Sequence, residues 1–250
     1  MTQIRAPARA RDVRRRQAYE KPSDFQTDLS AALNGTALAN YKTDLGGLHD
    51  PAGAGKRRRR STHLKARECD NLLLAAEHAF KIGAPLNRFL TIHFDAAGII
   101  DPVQAVGRLL KLIGDWLRCY NSELTAIWVR ETDYREGEHV HILLSIPPNK
   151  IVGFSKLQRG WFVRIGAAWK RGVYKAKAIG GSYGAAFNPL AADLYKQALT
   201  GTLHYLLKGA DNKARAKFRL TRSADGGELW GKRCSTTENI GRTARDRKIG

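Results

Sequence analysis

The chain has 250 residues, with 43 Lys or Arg against 23 Asp or Glu and a formal charge of +20. An excess of that size calls for a polyanionic partner, and nucleic acid is the usual one. A 43% apolar fraction suffices for a packed core, while the lack of a long apolar run, of a basic amphipathic helix and of an apolar stretch after the N-terminal arginines argues against a membrane partner and a secretory leader.

Residues 1–62 are built from basic Ala/Gly-rich blocks, RAPARARDVRRRQ and GAGKRRRRS, the second holding Lys56, Arg57, Arg58, Arg59 and Arg60. They carry little periodicity and read as a basic, disordered, mobile N-terminal arm with one short helix near Phe25–Leu33. A solvated tail and a non-specific grip on phosphate are both open for the arginine run. From Leu64 to about Lys81 the spacing predicts an amphipathic helix with Leu72, Leu73, Ala76, Ala79 and Phe80 on its apolar side. Asn87–Phe94 (NRFLTIHF) reads as a strand. Asp101 then caps a helix that begins at Pro102 and runs to Cys119, with Val103, Val106, Leu109, Leu110, Ile113, Trp116 and Leu117 at helical spacing.

Leu124–Glu131 and Glu138–Ile146 read as two further strands joined as a hairpin by TDYREG, and Pro147-Pro148 ends the second of them. A helix around Ser155–Arg171, the extended piece VYKAKAI, the loop GGSYG and a final helix at 190–208 follow. The order β-α-β-β-α-β plus a closing helix predicts an α+β fold, a ferredoxin-like split βαβ with a central antiparallel sheet flanked by helices. The expected domains are the arm at 1–62, a catalytic-size domain at 63–210 and a basic C-terminal extension at 211–250. Cys69, Cys119 and Cys234 form neither a disulfide framework nor a C-x-x-C zinc pattern, which suits the reducing cytoplasm.

The segment REGEHVHILLSIPP places two histidines two residues apart in a strand. Side chains alternate faces along a strand, so His139, His141 and Leu143 share one face and Val140, Ile142 and Leu144 the other. The even-numbered face is the expected core side, and the histidine face looks towards some other part of the protein or towards a cleft. An even-sum hairpin register puts Glu131 opposite His139 or His141 on that face, and His93 is a further ligand if its strand is adjacent. Two imidazoles with a carboxylate suit a divalent ion, the carboxylate shifting the preference towards Mn²⁺ or Mg²⁺. Two wet surface histidines are the bland alternative.

In the last helix Leu199, Leu203, Leu206 and Leu207 form a narrow apolar stripe. Tyr195 lies beside that stripe and reads as a packing tyrosine, whereas Tyr205 lies roughly 145° from its centre at about 100° per residue. Helix geometry leaves Tyr205 open as either an ordinary surface tyrosine or a nucleophile. Lys208 shares a neighbouring surface, and a cation there would favour a phenoxide or neutralise an attacked phosphate.

A strand with TIHF, then HVHILL, then YLLKG resembles the three ordered motifs of HUH endonucleases over roughly residues 87–210. The likeness is to the single-tyrosine replication-initiator type, whose third motif Y-x-x-K is matched by Tyr205, Leu206, Leu207 and Lys208. The resemblance implies a Mg²⁺ or Mn²⁺ ion on His139, His141 and Glu131, with Tyr205 as nucleophile and Lys208 beside the phosphate. It implies a site-specific nickase and ligase for single-stranded DNA at a replication origin or nick site, acting in rolling-circle replication of a plasmid or phage-like element. With no P-loop in the chain, a host helicase and polymerase would be its partners.

Lys150, Arg159, Arg164, Lys170, Arg171, Lys175, Lys177 and Lys213 are the expected DNA-binding cations, interleaved with aromatics such as Trp161, Trp169, Tyr174 and Tyr183. One of Trp161 and Trp169 is expected to be buried. Rival readings keep the chemistry for a transposase or mobilisation relaxase, or drop it for a non-catalytic basic nucleic-acid-binding module.

Overall fold

The computed structural model describes residues 59–247. The helix expected near Phe25–Leu33 and most of the basic arm lie outside the described residues. A five-stranded antiparallel sheet in the order β5-β2-β4-β3-β7 forms the centre, built from β2 (Arg88–His93), β3 (Ala126–Asp133), β4 (Gly137–Leu144), β5 (Tyr174–Ala178) and β7 (Cys234–Thr236). A two-stranded sheet pairs β1 (Arg60–Ser61) with β6 (Leu229–Trp230). The protein is thus α+β, with helices on both faces of an antiparallel sheet.

Alternation along the strands explains the layering. Leu90, Ile92, Trp128, Val140, Ile142 and Leu144 share the even face and pack under α3 (Pro102–Arg118) and α4 (Ile151–Arg164). Helix α3 starts where expected, Asp101 Oδ1 accepting from the Gln104 N–H at 3.1 Å. The opposite face is covered too, which the expected cleft did not allow for. There Ile127, Val129 and Leu143 pack against α1 (Ala66–Lys81) and α5 (Ala192–Leu206), with α6 (Asn212–Phe218) contributing Ala214. Both faces being apolar at the Leu143 end, a second core forms, and only the end near the β3–β4 hairpin is polar.

Several boundaries differ from expectation. Helix α4 starts four residues early, because a short 3₁₀ turn at Pro148–Lys150 leads directly into it after Pro147. On α1, Cys69, Leu72, Ala75, Ala76 and Ala79 are buried, while Phe80 is half exposed, so the apolar face is rotated away from Phe80. Trp161 is buried as expected and Trp169, past the end of α4, is half exposed.

The boundaries expected at 62 and 210 both move, since β1 lies before one and α6, β6, β7 and α7 (Arg242–Asp246) follow the other in the same compact unit. Strand β7 extends the main sheet beside β3, and Ile240 is fully buried. Two buried arginines hold this segment. The Arg233 guanidinium donates to the carbonyls of Ser61, Gly226 and Gly227, and Arg130 pairs with Glu138 and donates to the carbonyls of Trp230 and Lys232. Such carbonyl-satisfied charges are invisible to a search for apolar periodicity.

Because Ile142 is sealed between β2 and β3 under α3 and α4, Ile142→Ala is expected to lower the unfolding free energy by about 3 kcal/mol. Urea unfolding checks this, and a loss below about 1 kcal/mol would show that the even face is not the tightly packed core.

Candidate metal centre

The hairpin sets the site. Glu131 faces His139 directly and Val129 faces His141, while β2 brings His93 opposite His139 and Thr91 opposite His141. The turn that fixes this register needs Gly137, whose φ is +66° and whose added Cβ would lie 1.9 Å from Asp95 Oδ2. That same carboxylate, on the four-residue helix α2 (Phe94–Ala97), accepts from the Glu138 N–H at 3.1 Å.

Glu131, His139 and His141 are all buried, each 3% exposed or less, and their ligand atoms lie within 4.8 Å of one another. His139 Nε2 and His141 Nε2 each stand 3.5 Å from Glu131 Oε2. The outer nitrogens are held from behind. His139 Nδ1 donates to the Gly137 carbonyl at 3.0 Å, and His141 Nδ1 lies 3.0 Å from Thr91 Oγ1. This arrangement turns both Nε2 atoms to the centre, as hydrogen bonds to the outer nitrogens of metal-ligating histidines do. Glu131 Oε1 is buried and has no hydrogen-bond partner. A converging pair of imidazoles with a carboxylate that has a spare lone pair fits a divalent cation.

Helix α5 closes the site from above. Its apolar residues Leu203 and Leu206 enter the second core, and Tyr195 is buried with its hydroxyl donating to the Leu86 carbonyl at 3.1 Å. Tyr205 faces the polar half of the same sheet face, where the sequence had placed it away from the core. Its ring lies 5.1 Å from the His141 ring and 6.0 Å from that of Phe89, edge-on to both. Just past the helix, the Lys208 ammonium pairs with Glu131 Oε2, 3.3 Å from His141 Nε2 and 4.2 Å from the Tyr205 ring centre. Gly209 lets the chain pass this close, since a Cβ there would stand 3.1 Å from Gly226 and 3.4 Å from Glu131 Oε1.

The electrostatics follow from this packing. Burial would raise the Glu131 carboxyl, but hydrogen bonds from His139 and His141 and the Lys208 charge outweigh it and hold the group well below the usual carboxylate range. Burial pushes His141 down to about 4, and Lys208 adds to the effect against Glu131. For His139 burial works downwards too, yet the hydrogen bond to Glu131 wins and the imidazole is raised. His93, Glu136 and His139 form a second convergent group. Since His139 Nδ1 is committed to Gly137 and Glu136 is half exposed, the buried group with Glu131 is the better cation site.

The expected DNA-binding cations do not make one surface. Lys175 and Lys177 are exposed on edge strand β5 opposite Thr91 and Phe89, on the His141 side of the sheet. Lys150, Arg159 and Arg164 lie on or just before α4, which covers the other face. Lys170 and Arg171 are exposed in the turn into β5, and Lys213 is exposed on α6. Two contributors escaped the sequence reading. Phe89 stacks on His141 at 5.4 Å, which its place two before Thr91 could have signalled. Arg222, 5.6 Å from the Tyr205 ring, comes from the C-terminal segment and has no local signal.

His141 has a folded pKa below its unfolded one, so its contribution to stability is complete above pH 6.5 and lost as pH falls towards about 4. Glu131 acts in the same sense below about pH 4.5, and raised His139 acts oppositely, losing its contribution as pH rises above 6.5. Metal-free protein is therefore expected to lose on the order of 2 kcal/mol of stability from this group between those limits, a loss that His141→Gln removes. Thermal unfolding against pH checks it, and identical profiles for the two proteins would contradict the assignment.

No family model matches the chain, and no curated protein or solved structure matches it.

Proposed function

We propose that the protein is a metal-dependent, site-specific nickase and strand-transferase for single-stranded DNA, of the HUH type, that initiates rolling-circle replication of a plasmid or phage-like element. The observation that carries this reading is the meeting of Tyr205 and Lys208 with the Glu131–His139–His141 group on one sheet face. An ordinary surface tyrosine has no reason to sit edge-on to a buried histidine whose own ring is held by Thr91. The strand order β5-β2-β4-β3, with α3 and α4 as crossovers on one face, is compatible with a ferredoxin-like split βαβ.

Glu131, His139 and His141 would hold Mg²⁺ or Mn²⁺, and the bound ion would supply a Lewis acid for the scissile phosphate. Tyr205 Oη attacks the phosphorus in line as the bond to the 3′-oxygen breaks. The phenolic proton is lost and the departing 3′-oxygen gains one, leaving a 5′-phosphotyrosine and a free 3′-hydroxyl. Attack by a new 3′-hydroxyl reverses the step and rejoins a strand. The Lys208 ammonium and the Arg222 guanidinium, both beside the Tyr205 ring, stabilise phenoxide and phosphate charge. Lys175 and Lys177 continue the positive surface to the sheet edge on this side.

Unwinding falls to a host helicase and synthesis to a host polymerase, in the cytoplasm. Among the described residues no helix is long and apolar enough to cross a membrane. Transposition or mobilisation would use the same chemistry, whereas a purely binding module would need neither ion nor Tyr205.

Incubation with labelled single-stranded oligonucleotide pools, with and without Mn²⁺, separates these readings on denaturing gels. A metal-dependent covalent adduct is expected, absent in Tyr205→Phe, which still binds DNA, and lost along with metal dependence in His141→Ala. An adduct formed by Tyr205→Phe would overturn the nucleophile, and binding without any adduct would favour the binding module.

A further inference from the structure

Arg88 opens β2 and points to the even face, beneath α4 and away from the histidines. It is 3% exposed, its Nε and Nη1 are buried without any hydrogen-bond partner, and among the described residues no carboxylate pairs with it. Its guanidinium lies 4.4 Å from the centre of the Tyr183 ring and 5.9 Å from that of Phe154. Two further buried donors are unpartnered, Gln158 Nε2 one turn beyond Phe154 on α4 and Tyr174 Oη on β5. Burial pushes the Tyr174 phenol up while the charge of Arg88 pulls it down and Tyr183 adds to the rise, so Tyr174 lies within electrostatic reach of both.

A buried guanidinium without an anion is strongly destabilising, and aromatic faces offset only part of that cost because they accept no in-plane N–H. A buried cation with orphaned N–H groups, together with two further side chains whose donors are also orphaned, describes a place suited to acceptor oxygens. Tyr183 covers the guanidinium yet is half exposed itself, so movement of one side chain opens the way in. It belongs to the loop GGSYG, in which Gly180 and Gly181 take φ near +80° and Asn87 Nδ2 donates to the Tyr183 carbonyl.

We propose that Arg88, Gln158 and Tyr174, closed over by Tyr183, form a phosphate-binding site separate from the metal centre. Arg88 stands three residues along β2 from Thr91, which faces His141, so about 10 Å of strand and the thickness of the sheet lie between the two sites, on opposite faces. A phosphate matches the guanidinium fork in charge and shape, and the chain's +20 charge favours phosphate-rich ligands over isolated carboxylates. The phosphate comes either from a small molecule such as a mononucleotide or from the backbone of a DNA strand. The site does not rest on nickase chemistry, since binding is its only readout.

The test uses full-length protein with ¹⁵N-labelled arginine, in the presence of chelator so that nicking plays no part. The Arg88 Nε–H resonance is followed as inorganic phosphate replaces chloride at constant ionic strength, and separately as a short oligothymidylate lacking terminal phosphates is added. A saturable shift of that resonance is expected, with affinity about tenfold weaker in Gln158→Leu, which keeps Arg88 in place. A shift with free phosphate supports a small-molecule source, and a shift with the oligonucleotide alone supports a strand. Arg88→Lys assigns the resonance, and through-bond connection to the Arg88 backbone assigns it if that variant does not fold. No response of Arg88 to either probe, while other arginines respond, would overturn the proposal and leave Arg88 a packing residue hydrated by water.

Discussion

The polar half of this molecule is organised by one buried carboxylate. Glu131 is 3% exposed and sealed under the end of α5, and a charge in that position must be met by partners of opposite charge or by donors. It is met by two imidazole nitrogens and an ammonium. Each comes from a different constraint: the hairpin register places His139, strand alternation adds His141, and the end of α5 delivers Lys208. The Lys208 ammonium and a divalent ion would compete for the same oxygen. Lys208 satisfies the carboxylate here, and on the proposed reading a bound ion would free its ammonium for phosphate.

The rest of the fold keeps that carboxylate dry and in register. The apolar half of the same sheet face, with Leu143, Leu203 and Leu206, anchors α5 so that Tyr205 and Lys208 arrive over the hairpin end. Gly209 and Gly226 pass at close range, and Arg233 ties Gly226 and Gly227 to Ser61. The C-terminal segment is in this way part of the wall around the site, and it carries Arg222 to the Tyr205 ring.

Much of this was legible because strands have a period of two. Once His139 and His141 were on one face and the hairpin register was even, Glu131 had to be near them, and the structure pairs it with His139. The apolar face of α3 and the Asp101 cap were equally readable from spacing. What escaped depends on long-range contacts with no local pattern. Residues 211–247 carry scattered basic and small residues, and the pairing of β7 with β3, the burial of Ala214 and Ile240, and the carbonyl partners of Arg233 and Arg130 show why they belong to the fold. Charge alone also grouped cations such as Arg159 and Lys175, which the sheet puts on opposite sides. The wheel turned Tyr205 away from the leucine stripe correctly, but a helix lying on a half-polar face buries a second side as well.

The most direct measurement is electron paramagnetic resonance of Mn²⁺ added to the full chain and to Glu131→Gln, with ¹⁴N coupling read from the bound ion. One bound ion coupled to two imidazole nitrogens, lost or greatly weakened in Glu131→Gln, is the expected result. An ion that binds equally well to both proteins, or that shows no imidazole coupling, would contradict the central role of Glu131, His139 and His141.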